Sequence, residues 1–318
     1  MPIAFVFPGQ GSQAIGMGRE LAAAFAPARE VFEAVDETLK QNLSRLMFEG
    51  PIEELTLTAN AQPALMAVSM AVMRVLELEG GFDLKSRVAL VAGHSLGEYS
   101  ALAAAQTFDV ATAARLLRLR GEAMQKAVPA GLGAMAALLG AEMAQAQDIC
   151  ARAAAGPEGE HEVVESANDN GGGQVVISGH RAAVERAVAL AKAEGVKRAM
   201  LLPVSAPFHC ALMAPAADAM AEALALAELR PPLVPVIANV TAAKATDPAE
   251  IRELLVRQVT GTVRWRECIG TMLELGCDRF VEIGSGKVLS GLMKRLAPEA
   301  QASAVGSPAD IEAFLASL

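Results

Sequence analysis

Two kinds of hydrophobic block alternate along this chain. Short unbroken apolar runs bounded by glycine or proline predict buried strands, and longer stretches with apolar residues every three or four positions predict amphipathic helices. Ile3–Phe7 is a short buried strand that ends in the turn Pro8-Gly9-Gln10-Gly11-Ser12. Helical periodicity follows, broken at Gly50-Pro51, and 63–78 forms a long apolar helix. Residues 87–92 form a second buried strand running straight into Gly93-His94-Ser95-Leu96-Gly97, with helices over 97–105 and 109–127.

The segment 133–205 has another rhythm. Strand 133–140 and helix 141–155 precede strands 163–167 and 174–178, which the loop Asn168-Asp169-Asn170-Gly171-Gly172-Gly173 joins; helix 181–194 and strand 199–204 follow. That βαββαβ order predicts a ferredoxin-like small domain, 132–205, inserted in a larger one made of 1–131 and 206–318. Beyond it come helix 211–228, strand 234–238, helix 248–259, strand 279–283, helix 287–296 and a C-terminal helix from Pro308. Strand and helix therefore alternate in the outer parts. This predicts an α/β-hydrolase-like large domain with a mainly parallel sheet.

Composition narrows the function. Of 318 residues 53% are hydrophobic, enough for a substantial core, while aromatics are only 4%, few for a protein that grips bases or sugars by stacking. A net charge of −9 argues against nucleic acid. The four cysteines lack C-x-x-C spacing and read as reduced thiols. Neither a metal site nor a cofactor is expected. The N-terminus has no basic region and meets Pro8 too early for a signal peptide. No apolar run reaches the ~20 residues that span a bilayer, so a cytoplasmic location without membrane contact is expected.

Gly93-His94-Ser95-Leu96-Gly97 fits the G-x-S-x-G elbow, in which a nucleophilic serine sits on a tight turn between strand and helix. Any Cβ at the flanking glycines would clash there. Ser95 then lies at a helix N-terminus, where backbone N–H groups favour developing negative charge. A serine needs a base, and only His94, His161, His180 and His209 exist. His94 reads as a packing residue of the elbow, His161 as solvated in Glu158-Gly159-Glu160-His161-Glu162, and His180 as a helix cap. Elimination leaves His209, after Ser205-Ala206-Pro207-Phe208, where a strand gives way to a helix. No third acidic partner stands out; a backbone carbonyl near Gln258, where a helix ends, could orient the imidazole.

Arg120 is on the wrong face of its helix. Ala113, Leu116, Leu117, Met124 and Ala127 form one apolar stripe with Arg120 in its middle, while Arg115, Arg118 and Glu122 point away. A buried arginine needs a carboxylate or phosphate partner. Either an internal salt bridge or a fork for a substrate carboxylate answers that need. Two glycine motifs are weaker. Gly9-Gln10-Gly11-Ser12-Gln13-Ala14 matches the dinucleotide fingerprint but lacks the later acidic strand end; it can instead supply an oxyanion N–H from Gln10. Gly284-Ser285-Gly286-Lys287 lacks the first glycine of a P-loop, and Val288 replaces its Ser/Thr. The run Gly171-Gly172-Gly173 reads as a hairpin loop.

Together these residues resemble the malonyl-CoA:acyl carrier protein transacylases of fatty acid synthesis and the acyltransferase domains of polyketide synthases. The likeness runs from Phe7-Pro8-Gly9-Gln10-Gly11-Ser12-Gln13 through Gln62-Pro63-Ala64, Gly93-His94-Ser95-Leu96-Gly97-Glu98-Tyr99, Arg120-Gly121, Asn168 to Gln174-Val175-Val176, Phe208-His209 and Arg257-Gln258 to Glu282-Ile283-Gly284-Ser285-Gly286-Lys287. It implies that Ser95 takes the malonyl group from coenzyme A, with His209 as base held by the Gln258 carbonyl. Gln10 and Leu96 would form the oxyanion hole, Arg120 would hold the malonyl carboxylate, and Gln62 would line the acyl pocket. Asn168, Asn170 and Gln174 would border the entrance for the thioester arm. Leu96 and Phe208 resemble the malonyl-selective pattern. Acyl carrier protein, an acidic partner, would dock on Arg186, Lys192, Lys197 and Arg198 of the small domain and Lys287, Lys294 and Arg295 of the large one. A serine esterase or thioesterase would share the elbow and the base. A transferase for another acyl-CoA, such as methylmalonyl-CoA, is the nearer alternative.

Overall fold

The computed structural model describes residues 2–157, 159–204 and 206–318. Glu158, in the charged loop before His161, and Ser205, at the expected end of the small domain, lie outside the described residues.

Among the described residues ten strands form two sheets. β1 (Ile3–Phe7), β2 (Val88–Gly93), β7 (Val236–Ile237), β8 (Lys244–Ala245), β9 (Arg279–Ile283) and β10 (Gln301–Val305) make a six-stranded sheet in the order β10-β9-β1-β2-β7-β8. Every pairing in it is parallel except β7 with β8. β1 is buried along its whole length because helices cover both faces. Its side chains alternate between two cores. Ile3, Phe5 and Phe7 face the helices Ala26–Leu39 and Thr58–Leu78, among others. Ala4 and Val6 face Trp265–Glu274 and Val288–Leu296. Phe5 stacks on Phe82 and meets Phe314 edge-on, with centroids 5.5 and 5.8 Å apart. Each such buried ring contributes roughly 1.5–3 kcal/mol by leaving water.

The second sheet contains β3 (Gly133–Leu139), β4 (Val164–Asp169), β5 (Gln174–His180) and β6 (Arg198–Leu201), in the order β4-β5-β3-β6 and antiparallel throughout. The helices Met143–Ala153 and Arg181–Ala193 pack on one of its faces in a core of their own. The βαββαβ order expected of this segment is present. Strand β4 runs two residues further than expected, so Asn168 and Asp169 are strand residues rather than loop. The three glycines that follow all have positive φ, 69°, 58° and 72°. The turn needs that left-handed backbone freedom, and a Cβ on Gly171 would also have to displace the end of the Leu296 side chain, 2.1 Å away.

Other elements depart from expectation at their ends. The apolar helix spans Thr58–Leu78, with Pro63 inside it rather than at its start. At 21 residues and mean hydropathy 1.3 it is long and apolar enough to cross a membrane, contrary to the reading that no run is; 83% of that span is buried in this protein's core. The strand expected over 199–204 ends at Leu201, and the helix expected over 211–228 begins as a short 3-10 turn before Ala214–Leu226. Neither the helix Trp265–Glu274 nor the edge strand β10 is among the elements expected above, although Trp265, Cys268, Ile269 and Met272 recur at helical spacing.

Candidate active site

The C-terminal ends of β1, β2 and β7 meet at one point. β1 and β2 are in register there, Phe7 opposite Gly93. The chain leaves β2 through Gly93, turns at Ser95 with φ +53° and enters the helix Gly97–Ala104. The elbow glycines are required by packing. A Cβ on Gly93 would fall 1.9 Å from the Gly97 backbone, and one on Gly97 would fall 2.3 Å from the Phe7 carbonyl oxygen. Asn239, just beyond β7, clamps the turn. Its Oδ1 accepts from the Ser95 N–H at 2.8 Å, and its Nδ2 donates to the Gly93 carbonyl at 2.7 Å.

His209 faces the serine, with Nε2 2.7 Å from Ser95 Oγ. Its Nδ1 lies 2.9 Å from the Gln258 carbonyl and 3.2 Å from that of Gly261. Two carbonyls at Nδ1 require the proton there, which leaves Nε2 as the acceptor for the serine hydroxyl. His209 is 4% exposed and adopts φ +58° in the irregular segment after β6. Burial, and then the positive charge of Arg120, lower its pKa to about 3, so the ring is neutral at pH 7.

Arg120 is 1% exposed, in line with its place on the apolar stripe. No carboxylate pairs with it among the described residues, which removes the internal salt bridge as an explanation. Its Nη1 donates to Gln62 Oε1 and one Nη2 bond goes to Gln258 Oε1, each at 2.8 Å; Nη2 also lies 3.2 Å from Ser95 Oγ. Nε has no partner. The Tyr99 ring lies 5.7 Å from the guanidinium carbon. Gln62 is held in turn through Thr58 to Gln10, by bonds of 2.9 Å each.

A cleft of about 410 Å³ opens between the two sheets over these groups. Gln10, Leu96, Gln62, Arg120, Asn168, Asn170, Gln174, Phe208 and His209 all line it with Ser95. Every candidate site residue except Gln258 thus borders one cavity. Gln258, fully buried, stands behind it. The N–H groups of Gln10 and Leu96 have no protein acceptor among the described residues. Asn170 Oδ1 lies 2.8 Å from His94 Nε2, and the His94 ring packs 5.6 Å from Trp265. His94 is therefore more than a packing residue: it ties the elbow to the small sheet.

Several expectations need correction. His180 stands at a helix N-cap position but does not cap; its Nδ1 accepts from the Val163 N–H at 2.9 Å. Arg186 is committed to Glu162 at 2.7 Å and to the Ala153 carbonyl, so it is not free for a partner. The incomplete P-loop match at Gly284-Ser285-Gly286-Lys287 needs no correction, since the helix after it already has an anion at its start. The Glu282 carboxylate already accepts from the Leu289 and Ser290 N–H groups at that helix N-terminus. Sequence reasoning missed Glu98. It is 2% exposed, and its Oε2 accepts from Gln258 Nε2 at 2.8 Å and from the Asn239 N–H at 3.0 Å. Its one signal was a lone carboxylate in an otherwise apolar helix.

The comparisons with known proteins agree along the whole chain. Residues 4–308 match the acyl transferase domain family. The Escherichia coli K12 malonyl CoA-acyl carrier protein transacylase is 46% identical over 312 residues, 98% of either chain. The crystal structure of acyl-carrier-protein-S-malonyltransferase from Bartonella henselae superposes with TM-score 0.96 at 55% identity, covering 100% of this chain and 99% of that one. This chain belongs to the malonyl-CoA:acyl carrier protein transacylase family. A further relative, a malonyl-transacylase solved in complex with a type II polyketide synthase acyl carrier protein, has TM-score 0.95 and 43% identity, with 100% of each chain covered. Like the rest of its family, the chain is an acyltransferase, and its cleft is the place to look for the transferred group.

Proposed function

We propose that this protein moves a malonyl group from malonyl-CoA to the phosphopantetheine thiol of an acyl carrier protein, through a malonyl ester on Ser95. The observation that carries the reading is Arg120, a buried guanidinium 3.2 Å from the serine oxygen with no protein carboxylate of its own. Such a charge is costly to bury unless paired. A malonyl carboxylate would pair with it bidentately. An esterase or thioesterase for simple acyl chains has no use for that fork.

In the first half-reaction Ser95 Oγ attacks the thioester carbon while His209 Nε2 takes the hydroxyl proton. The C–S bond breaks, and the departing coenzyme A sulfur takes that proton from His209. In the second half the carrier thiol gives its proton to His209 and attacks the malonyl ester, and Ser95 is restored as a hydroxyl. The Gln10 and Leu96 N–H groups receive the oxyanion in both halves. The very low pKa of free His209 makes it a weak base. A substrate carboxylate on Arg120 offsets the second-largest of the causes that lower it and so raises it, which couples the right acyl group to a stronger base.

Asn168, Asn170, Gln174 and Phe208 border the channel for the thioester arm. We assign residues 1–131 and 206–318 to an α/β-hydrolase-like domain and 132–205 to a ferredoxin-like one. The β4-β5-β3-β6 order and antiparallel pairing support the latter. The carrier protein docks on Lys192, Lys197 and Arg198 of the small domain and on Lys287, Lys294 and Arg295 of the large one, and Arg295 lies within reach of the cleft-lining Gln174. The reaction is placed in the cytoplasm. The deciding experiment is incubation with radiolabelled malonyl-CoA, with and without carrier protein. Label on Ser95 that passes to the carrier thiol supports the reading. Label that is lost to water at the same rate without carrier makes the protein a thioesterase instead.

A further inference from the structure

Among the described residues Glu98 is the one buried carboxylate in contact with the groups that surround Ser95, and the proposed reaction does not use it. Its contacts explain an otherwise arbitrary choice. The side-chain amide of Gln258 could sit either way round. Here Nε2 faces only acceptors: Glu98 Oε2 at 2.8 Å, the Ser95 carbonyl at 3.0 Å and Asn239 Oδ1 at 3.4 Å. Oε1 faces only a donor, Arg120 Nη2, at 2.8 Å. Turned over, the amide would set its NH2 against a guanidinium and its oxygen against three oxygens. Of the three acceptors, the carboxylate oxygen is the shortest contact. Burial pushes the Glu98 pKa up to about 7, so near neutral pH the group is ionised about half the time, and in that form its bonds are charge-assisted and the stronger ones.

The same oxygen of Glu98 also accepts from the Asn239 N–H at 3.0 Å. Asn239 in turn holds the Ser95 N–H. One buried carboxylate thus braces two amides that carry their order outward, to the arginine by one route and to the elbow by the other.

We infer that Glu98 is a positioning residue for acyl selectivity: it locks the Gln258 amide so that Gln62 and Gln258 together aim Arg120 at the carboxylate end of the acyl group. This rests on the malonyl reading above and deepens it. The backbone carbonyl that orients His209 does not depend on which way the side-chain amide points. On the elbow route Asn239 keeps its own bonds to the Ser95 N–H and the Gly93 carbonyl, whereas the Gln258 amide loses its shortest acceptor. Loss of Glu98 should therefore damage carboxylate recognition far more than nucleophile or general base chemistry.

The test compares single-turnover acylation of Ser95 by malonyl-CoA and by acetyl-CoA in wild type, Glu98→Met and Glu98→Gln. Methionine fills a similar volume without an acceptor, whereas glutamine keeps an acceptor oxygen in reach of both donors. Glu98→Met should lose about 30- to 100-fold with malonyl-CoA, most of it in KM, a selective loss of roughly 1.5 to 2 decades. Acetyl-CoA should change by less than about threefold, and Glu98→Gln should recover most of the malonyl preference. Gln258→Leu should reproduce the Glu98→Met defect, and the double variant should be no worse than either alone, since both act through one amide. Should Glu98→Met fail to fold, Glu98→Asp keeps the charge but withdraws the acceptor by one methylene, and the same selective loss is expected. Equal losses for both substrates, or a Glu98→Gln as impaired as Glu98→Met, would overturn the inference alone. No malonyl label on wild-type Ser95 would overturn the functional reading and this inference with it.

Discussion

The two walls of the cleft are built on different principles. The wall from the parallel sheet is a buried mesh in which Ser95, His209, Arg120, Gln62, Gln258, Asn239 and Glu98 each touch at least one other member. The wall from the antiparallel sheet offers strand ends and a turn of three left-handed glycines, and it reaches the elbow through the Asn170–His94 contact. A fixed constellation suits bond making, where small displacements are costly. A wall of strand ends and backbone suits admission of a long, flexible arm. The contrast teaches that chemistry and entry are separable here, and substitutions should sort by wall.

The largest effect belongs to the mesh. Ser95→Ala should abolish covalent labelling by malonyl-CoA and leave the circular dichroism spectrum unchanged. Intact-mass measurement should find the wild type heavier by one malonyl group. Label on Cys210 would break the assignment. That thiol is fully buried, donates to the Pro207 carbonyl and has its pKa pushed up to about 11 by burial, so it should stay inert.

Next is the base. His209→Ala should slow acylation and transfer by roughly 10²–10⁴-fold, the usual cost of a lost general base. An unchanged single-turnover rate would shift that role to His94.

Arg120→Ala comes third and separates selectivity from activity. Losing a buried charge pair costs about 3–5 kcal/mol, part of which the empty guanidinium already bears, so malonyl-CoA should lose about 10²–10³-fold in kcat/KM. Acetyl-CoA should lose little. The same variant has a pH signature. Arg120 holds the His209 pKa down, second only to burial. Its removal should raise that pKa and move the acid limb of the acylation profile to higher pH. A limb that stays put would mean the two side chains are not electrostatically coupled.

The smallest effect belongs to the exposed charges proposed to receive the carrier. Charge reversal at Lys294 or Arg295, both exposed and the second beside Gly172, should raise the carrier KM severalfold and leave Ser95 acylation untouched. Added salt should mimic it. If acylation falls as well, the division between the walls is wrong.

How much of this was legible in the sequence depended on whether a residue broke its local pattern. Gly93, Ser95 and Gly97 stand out because a turn follows an apolar strand. Arg120 stands out because a charge interrupts an apolar stripe. His209 came by elimination among four histidines. Glu98 was invisible for the opposite reason: an acidic residue in the first turn of a helix is what the helix dipole favours anyway. Asn239 looks like any turn residue, and the glutamine at 258 was credited with its carbonyl alone. In the fold, both sheets were foreseen from strand and helix order. β10 was not, because an exposed edge strand reading Gln301-Ala302-Ser303-Ala304-Val305 has little hydrophobic signal. Pro63 misplaced the start of its helix because proline is usually found in a first turn.

The tight elbow also bears on how this protein can change over generations. Every single-base change of a glycine codon that yields another amino acid adds a Cβ. At Gly93 that carbon would land 1.9 Å from the backbone of Gly97, and at Gly97 it would land 2.3 Å from the Phe7 oxygen. Neither neighbour is a side chain that could swing aside; each is main chain in a paired strand or the opening of a helix. No mild intermediate connects this turn to a looser one. Variation in acyl preference must then come from side chains that face the cleft outside the mesh, such as Met124 and Phe208, while the turn that carries the serine stays at a fixed point in sequence space.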